Sequence, residues 1–178
     1  MKFCSNCGEL VDQEIPPGDD RLRYICKSCN TIHYQNPLIV VGCLPVHNNS
    51  MLLCKRAIEP CYGMWTLPAG FMENGESVEE GAVRETREEA NADINIGQIH
   101  AIYSVPFVNQ VHIFFHAELN NLNFFPGKES LEVKLFKEEE IPWDELAFKS
   151  VQYALSTFYE DKKNGGKLPH IGGYCHKE

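Results

Sequence analysis

No apolar run in the sequence approaches the ~20 residues that a membrane-spanning helix needs. The opening MKFCSNCGEL has no apolar signal core. Both absences lead to the expectation of a cytoplasmic protein with no membrane partner. Positive charge is also scarce: sixteen basic residues stand against twenty-five acidic ones, for a net charge of −9. Bulk charge of that sign is repelled by nucleic acid and by anionic lipid, so neither is expected as a partner. Repeats and low-complexity segments are missing as well. What remains is an ordinary globular composition, 43 % hydrophobic and 23 % charged over 178 residues, which excludes a wholly disordered chain.

Cysteine is not scarce: there are eight, unevenly placed. Cys4-x2-Cys7 and Cys26-x2-Cys29 are separated by eighteen residues. In a reducing compartment such pairs are read as metal ligands before disulfides. Each turn brings two sulfurs within ~4 Å, and one tetrahedral Zn²⁺ joins the pairs at ~2.3 Å per bond. With four thiolates no ligand position is left for water, so this zinc would be structural. A redox dithiol or chance clustering is the alternative. About thirty residues cannot build a core alone, and the metal supplies the missing stability. Lys2, Arg21, Arg23 and Lys27 are offset by Glu9, Asp12, Glu14, Asp19 and Asp20, so a scaffolding or dimerising role fits better than nucleic-acid binding. Cys43 and Cys54 read as buried small residues; Cys61 and Cys175 have no reading.

Residues 12–21 (DQEIPPGDDR) form a turn or loop, and the first long apolar run begins at Leu38. The expected division is a zinc ribbon over 1–35, a main domain over 36–165 and a patternless tail over 166–178. Within the main domain, Leu38–Val46 and Met51–Lys55 form a hairpin across HNNS. Ile99–Val105, Val111–Leu119 and Leu131–Phe136 are further strands, and Val111, Ile113, Phe115, Ala117 and Leu119 give the second an apolar face. Ser77–Ala90 is a helix. A second helix over Asp144–Lys162 carries a stripe of Leu146, Val151, Leu155 and Phe158 and ends at Gly165-Gly166. The fold class is α/β, a mixed sheet covered by helices.

The helix in GFMENGESVEEGAVRETREEANA (Gly70–Ala92) is unusual. Ser77-x-x-Glu80 is a capping box. Glu85, Glu88 and Glu89 stand at i, i+3 and i+4 and share a face, where they repel one another. They lie in the C-terminal half, where the macrodipole disfavours anions. Gly81, one turn earlier, costs roughly 1 kcal/mol relative to Ala, and close approach of another group to an empty patch there would account for it. Such a face suits hard divalent cations that keep positions open for substrate oxygens. A solvated acidic face, with Arg84 and Arg87 pairing locally, is the alternative.

The run Gly70-x5-Glu76-x7-Arg84-Glu85-Thr86-x-Glu88-Glu89-x-Asn91-Ala92 resembles the Nudix box, the signature of Mg²⁺-dependent diphosphate hydrolases, and WTLPAG (Trp65–Gly70) resembles the approach to it. Two positions depart from the pattern. Thr86 stands where an apolar residue is usual, at little cost if its hydroxyl bonds back to the helix. Asn91 stands where Gly is usual, and Asn is the next-best left-handed cap. The ribbon followed by YQNP, VVGC, LLCKR, WTLPAGFMENGES and GAVRET is similar to a subgroup of bacterial proteins and the plant FAD/ADP-ribose pyrophosphatase, over residues 3–160. NADH pyrophosphatases of the neighbouring subgroup carry an SQPW-type array after the box. IYSVPFVNQVHIFF has none, which points away from NADH.

This resemblance implies a Nudix α/β/α sandwich behind the small zinc ribbon, working as a homodimer on a small dinucleotide or nucleotide-sugar. The reaction is hydrolysis of ADP-ribose or FAD to release AMP, with NADH or another Nudix substrate as the alternative. Mg²⁺ (or Mn²⁺) would be held by Glu85, Glu88, Glu89 and the Ala69 carbonyl. Arg84 and Glu76 would pair to hold loop and helix together. The general base is a box glutamate or a later one, Glu129 or Glu132. Arg56 is placed to clamp a phosphate, or else to form a surface ion pair. Tyr62, Phe71 and Phe107 are candidates to stack a base or flavin, or else core residues. A non-catalytic nucleotide-sensing ribbon protein is the reading from another class; it would have no need of all three glutamates.

Overall fold

A computed structural model describes residues 1–174, and Cys175 lies outside them. The chain forms two compact units, residues 1–36 and the remainder from Pro37.

In the first unit, β1 (Val11–Glu14), β2 (Arg23–Cys26) and β3 (Ile32–His33) pair antiparallel in that order. Each Cys-x2-Cys turn is followed by a left-handed residue, Gly8 (φ 81°) and Asn30 (φ 57°), which folds the chain back on itself. Only Cys4, Pro16, Cys26 and His33 are buried in this unit. Four buried side chains are no hydrophobic core, and the cysteine cluster stands in its place.

The second unit begins with the hairpin of β4 (Leu38–His47) and β5 (Ser50–Arg56). Asn48 and Asn49 turn it with φ of 47° and 83°, the two positive values of a tight hairpin turn matched to strand twist. Short strands β6 (Trp65–Thr66) and β7 (Ala69–Phe71) follow, then α1 (Val78–Ala90), β8 (Ile94–Val105), β9 (Gln110–Leu119), β10 (Ser130–Phe136), α2 (Lys149–Asn164) and β11 (His170–Gly173). The sheet runs β10-β5-β4-β9-β8-β11, with β6 on β5 and β7 on β4. The β4–β9 and β8–β11 pairs are parallel and the rest antiparallel, so the sheet is mixed.

Each face of the sheet carries one helix. Leu44, Leu53, Phe114, Val151 and Leu155 form the core on the α2 side. Val41, Cys43, Leu52, Cys54, Ala82 and Phe115 form the core on the α1 side. The strand expected to have one apolar face, β9, is therefore covered on both: Phe114 and His112 are buried as well as Phe115.

Three elements differ from their sequence-based expectation. The second helix starts at Lys149, not Asp144. Residues Trp143–Glu145 form a 3₁₀ turn after Pro142, and the next stretch lies along β6, where the Ala147 N–H donates to the Trp65 carbonyl at 2.8 Å. β8 starts at Ile94, five residues before the alternation becomes regular, because it is bulged near Ile96–Ala101. The stretch after Gly166, patternless in sequence, supplies β11 at the edge of the sheet. Four residues, two of them glycine, are too few to show a period. Gly172 is nonetheless required there: a Cβ would meet the rings of Tyr153 and Tyr103 at 2.6 and 2.9 Å.

Candidate active site

The helix α1 is built as its sequence dictates. The Glu80 N–H donates to Ser77 Oγ and the Ser77 N–H to Glu80 Oε2, closing the capping box. Thr86 is fully buried and its hydroxyl donates to the Ala82 carbonyl at 2.8 Å, which absorbs its polarity. Asn91 is the left-handed cap, with φ 49°. The next loop finishes the helix end: the Phe125 and Gly127 N–H groups donate to the carbonyls of Ala90 and Glu89, both at 2.9 Å. Gly127 has to be glycine, since a Cβ would lie 1.7 Å from the Glu88 carbonyl oxygen. By bonding there, this loop brings Lys128 and Glu129 to the same cavity as the α1 carboxylates.

Gly81 has a different role from the one its place in the acidic segment suggests. A Cβ on it would meet Glu76 Oε1 at 2.7 Å and Val41 Cγ2 at 2.9 Å. The group approaching it is the protein itself, and Gly81 is buried in packing. The glycine beside the carboxylates is Gly70, where a Cβ would lie 2.4 Å from the Glu85 carboxyl group.

Arg84 organises the site from one side. It donates to Glu76 twice, at 3.0 and 2.8 Å, and to the Phe71 carbonyl at 3.0 Å, fastening the loop before the helix. Its Nη1 reaches Glu85 at 2.7 Å and Glu88 at 3.1 Å. The guanidinium beside Glu76 pulls that carboxyl down to about 2. Glu85 is pushed up, chiefly by burial, against the pull of Arg84. Glu89 is only 6 % exposed, and burial pushes it up to about 8. A carboxyl group so placed, on the wall of a cavity and with no ion pair among the described residues, marks a candidate functional position.

The cavity holds about 1380 Å³, above the ~300–1,000 Å³ usual for small-ligand sites. It brings together Ala69, Arg84, Glu85, Glu88, Glu89, Glu129, Arg56, Phe71 and Phe107. Arg56, at the end of β5, is buried. Its Nε donates to the Pro60 carbonyl at 2.8 Å and its guanidinium lies over the Phe148 ring. Among the described residues it has no ion pair, so a surface salt bridge is not its role. Phe71 and Phe107 are half-exposed on the cavity wall rather than in the core. Tyr62 and Glu132 do not line it. Tyr62 is exposed on the loop after β5, and Glu132 lies past a bulge in β10, opposite Lys55. Tyr103, His112, Phe148 and Tyr174 line the cavity without a sequence signal. His112 comes from the second face of β9 and Tyr174 follows β11, the strand that showed no pattern.

In the first unit the sulfurs of Cys4 and Cys29 are 3.6 Å apart and those of Cys7 and Cys26 3.5 Å. Tetrahedral zinc at ~2.3 Å per bond needs sulfurs ~3.8 Å apart, so the set fits. Second-layer groups are present too: the Asn6 N–H donates to Cys4 at 3.4 Å, and His33 Nε2 lies 3.3 Å from the same sulfur. Among the described residues Cys43 and Cys54 are buried thiols and Cys61 is partly exposed.

Comparison with known proteins agrees with both units. Residues 36–156 match the NUDIX domain family and residues 2–35 the Nudix N-terminal zinc-ribbon family. The NAD-capped RNA hydrolase NudC of Stutzerimonas stutzeri is 31 % identical over 175 residues, covering 97 % of this chain and 60 % of the relative. The chain thus spans about 60 % of the length of that protein. The ADP-ribose pyrophosphatase of Methanocaldococcus jannaschii is 31 % identical over 119 residues, covering 65 % of this chain and 69 % of that one. A crystal structure of a Nudix hydrolase from Nitrosomonas europaea superimposes with a TM-score of 0.94 at 53 % identity, over 98 % of this chain and 99 % of that one. The family match covers well over half of the sequence, and the protein is accordingly a member of the Nudix hydrolases, with the zinc ribbon of that family in front of its catalytic fold.

Proposed function

We propose that the protein hydrolyses the diphosphate bond of an ADP derivative, ADP-ribose or FAD, releasing AMP, with Mg²⁺ or Mn²⁺ as cofactor. The observation that carries this reading is one cavity whose wall holds the Glu85, Glu88 and Glu89 carboxylates together with the buried Arg56 guanidinium, which has no ion pair among the described residues. Glu85, Glu88, Glu89 and the Ala69 carbonyl form an all-oxygen set that suits a hard cation. Glu89 supports the fit: its buried carboxyl accepts one hydrogen bond, from the Ala69 N–H, and feels Arg56 only at a distance, so a dication would supply the close charge it lacks. When bound, the cation neutralises phosphate oxygens and lowers the pKa of an attacking water.

The residues of the chain divide the remaining work. Arg56 binds a phosphate oxygen, its ring contact with Phe148 and its bond to Pro60 holding the guanidinium in place. Phe71 and Phe107 offer faces for a base or flavin ring. Arg84 positions Glu85 and Glu88 and ties them to Glu76. Glu129, on the loop that caps α1, can accept a proton from water without being tied up by Arg84. The resemblance also carries the expectation of a homodimer, which a solution mass measurement tests.

A second reading, NADH or an NAD-capped RNA, is favoured by one observation: the NudC relatives match 97 % of this chain, ribbon included. An assay of AMP release from ADP-ribose, FAD and NADH, with decapping of an NAD-capped RNA alongside, separates the two. The first reading expects the highest kcat/KM on ADP-ribose or FAD; highest turnover on NADH or the capped RNA overturns it. No Mg²⁺-dependent release from any of them overturns both.

A further inference from the structure

Across the sheet from α1, a second group of polar side chains gathers under α2. His100 is wholly buried and belongs to a bulge in β8, where it is the extra residue between Ile99 and Ala101. Bulges re-aim side chains, and this one turns the imidazole toward the helix. His100 Nε2 lies 3.0 Å from the Ala154 carbonyl and 3.0 Å from Thr157 Oγ1. A carbonyl only accepts, so Nε2 carries the proton and Nδ1 is an acceptor. Nδ1 in turn lies 3.1 Å from His116 Nε2. Nearby, His170 Nε2 on β11 is 2.7 Å from Asp161 Oδ2 on α2. Ligand-capable atoms of His100, Asp161 and His170 all lie within 4.8 Å of one another.

We propose that His100, Asp161 and His170 form a second metal site, one for Zn²⁺ or a similar transition-metal cation. The proposal is independent of the hydrolytic reading. Tetrahedral zinc at ~2.0–2.1 Å per bond places its ligand atoms ~3.3 Å apart. Asp161 and His170 stand closer than that, at 2.7 Å, and the set spreads over no more than 4.8 Å, so modest shifts of these two partly exposed side chains (20 and 21 %) would bring the three to that spacing. An imidazole whose other ring N–H donates to a backbone carbonyl is the usual arrangement of a metal-bound histidine. The donor set also sorts cations: imidazoles with one carboxylate suit zinc, whereas the all-oxygen set on α1 suits magnesium. Gly166 belongs to the arrangement, since a Cβ there would lie 1.7 Å from Asp161 Oδ1. Glycine lets the chain close over the carboxylate on its way to His170. A cation here would tie the edge strand β11 to α2 and β8, three elements otherwise joined through a four-residue ladder and side-chain packing.

The competing role for the same groups is a metal-free hydrogen-bonded relay. Metal content decides between them. The full chain is equilibrated with Zn²⁺ in excess Mg²⁺, which occupies the α1 carboxylates, then dialysed and analysed. Two zinc ions per chain are expected, one in the ribbon and one here. His170→Ala and Asp161→Ala should retain only the ribbon ion with unchanged helix content, while Glu88→Gln should retain both. Cobalt provides an independent readout: the variants should lose a weak ligand-field band and keep the intense thiolate-to-cobalt band of the ribbon. A single zinc in the wild type overturns the proposal. So does a second zinc that survives in His170→Ala and Asp161→Ala, or one that Glu88→Gln removes.

Discussion

The Ala69 N–H donates to Glu89 Oε2 at 3.2 Å, and among the described residues Glu89 has no other hydrogen bond and no ion pair. One neutral donor does not compensate for a buried carboxylate. The carboxyl of Glu89 therefore titrates near 8 in the metal-free protein, against 4.5 ordinarily. Its folded pKa is raised, so its contribution to stability is complete below pH 4.5 and is lost as the pH rises through 8. Denaturant titrations in Mg²⁺-free buffer, with the ribbon zinc left in place, should show the metal-free protein weakening between pH 5 and 8. Glu89→Gln should remove that slope, which is worth on the order of 2–4 kcal/mol. Addition of Mg²⁺ should stabilise the wild type and not the variant.

Hydrolysis should behave in the opposite way to stability. Glu88→Gln and Glu89→Gln should each lower Mg²⁺-dependent kcat at least 100-fold, about 2.7 kcal/mol in the barrier. Circular dichroism and thermal melts should show the fold intact, because Glu88 is largely exposed and Gln fits the Glu89 pocket. Near-wild-type turnover by either variant would sink the assignment of the carboxylates.

Arg56 is predicted to act on binding. Arg56→Ala should raise KM for an ADP derivative about 10- to 100-fold, the loss of roughly 1.5–3 kcal/mol from a charge-assisted contact, with a smaller change in kcat. Arg56→Lys keeps the charge but not the fork, and should recover only part of the affinity. An unchanged KM in Arg56→Ala would remove Arg56 from the phosphate site.

Removal of zinc by a thiol-reactive chelator should unfold residues 1–35 before the rest. Amide exchange in β1–β3 should rise to near the unprotected rate, while α1 and β4–β9 keep their protection. The first unit has four buried residues, and its small sheet and surface ion pairs are too few to hold it without the metal. Unaltered protection in β1–β3 would mean that zinc is not what holds them.

His112 makes a separate acid-side prediction. Burial lowers it to about 4, and its neutral form is fixed by Ser150 Oγ at 2.9 Å and Gln110 Oε1 at 3.0 Å. A depressed folded pKa means that its contribution is present above pH 6.5 and lost as the pH falls toward 4. His112→Gln should reduce the acid sensitivity of unfolding between those values, as measured by denaturation at pH 4 to 7.

Much of this was legible in the sequence wherever short-range chemistry decides the outcome. The capping box, the Thr86 back-bond, the Asn91 cap and the hairpin turn each follow from residues within a few positions of one another, and the repeated Cys-x2-Cys spacing marks the cysteine cluster. What could not be read depends on partners far away in the chain. Gly81 looks like a feature of the acidic face until Val41 is seen beside it. His112 looks like the wet side of β9 until α2 covers it. β11 has no period because it is short and its glycines answer to Tyr103 and Tyr153. Tyr62 and Glu132 have suitable chemistry, but Tyr62 stays exposed on the loop after β5 and Glu132 lies past the β10 bulge, and neither reaches the cavity.

The parallel pairing of β4 with β9 bears on how the protein comes to exist. Val41 lies against Ile113, about seventy residues further along the chain. Ladders between such distant segments form slowly, because a long loop must close before any contact rewards it. The α1 helix can coil early from its own cap signals, yet its carboxylates face nothing until β4 has gained its neighbour and the 125–129 loop has docked on the helix end. During synthesis on the ribosome, then, the zinc ribbon can be complete while the cavity is still absent, and the cavity closes only after β9, the following loop and residues 147–150 have emerged.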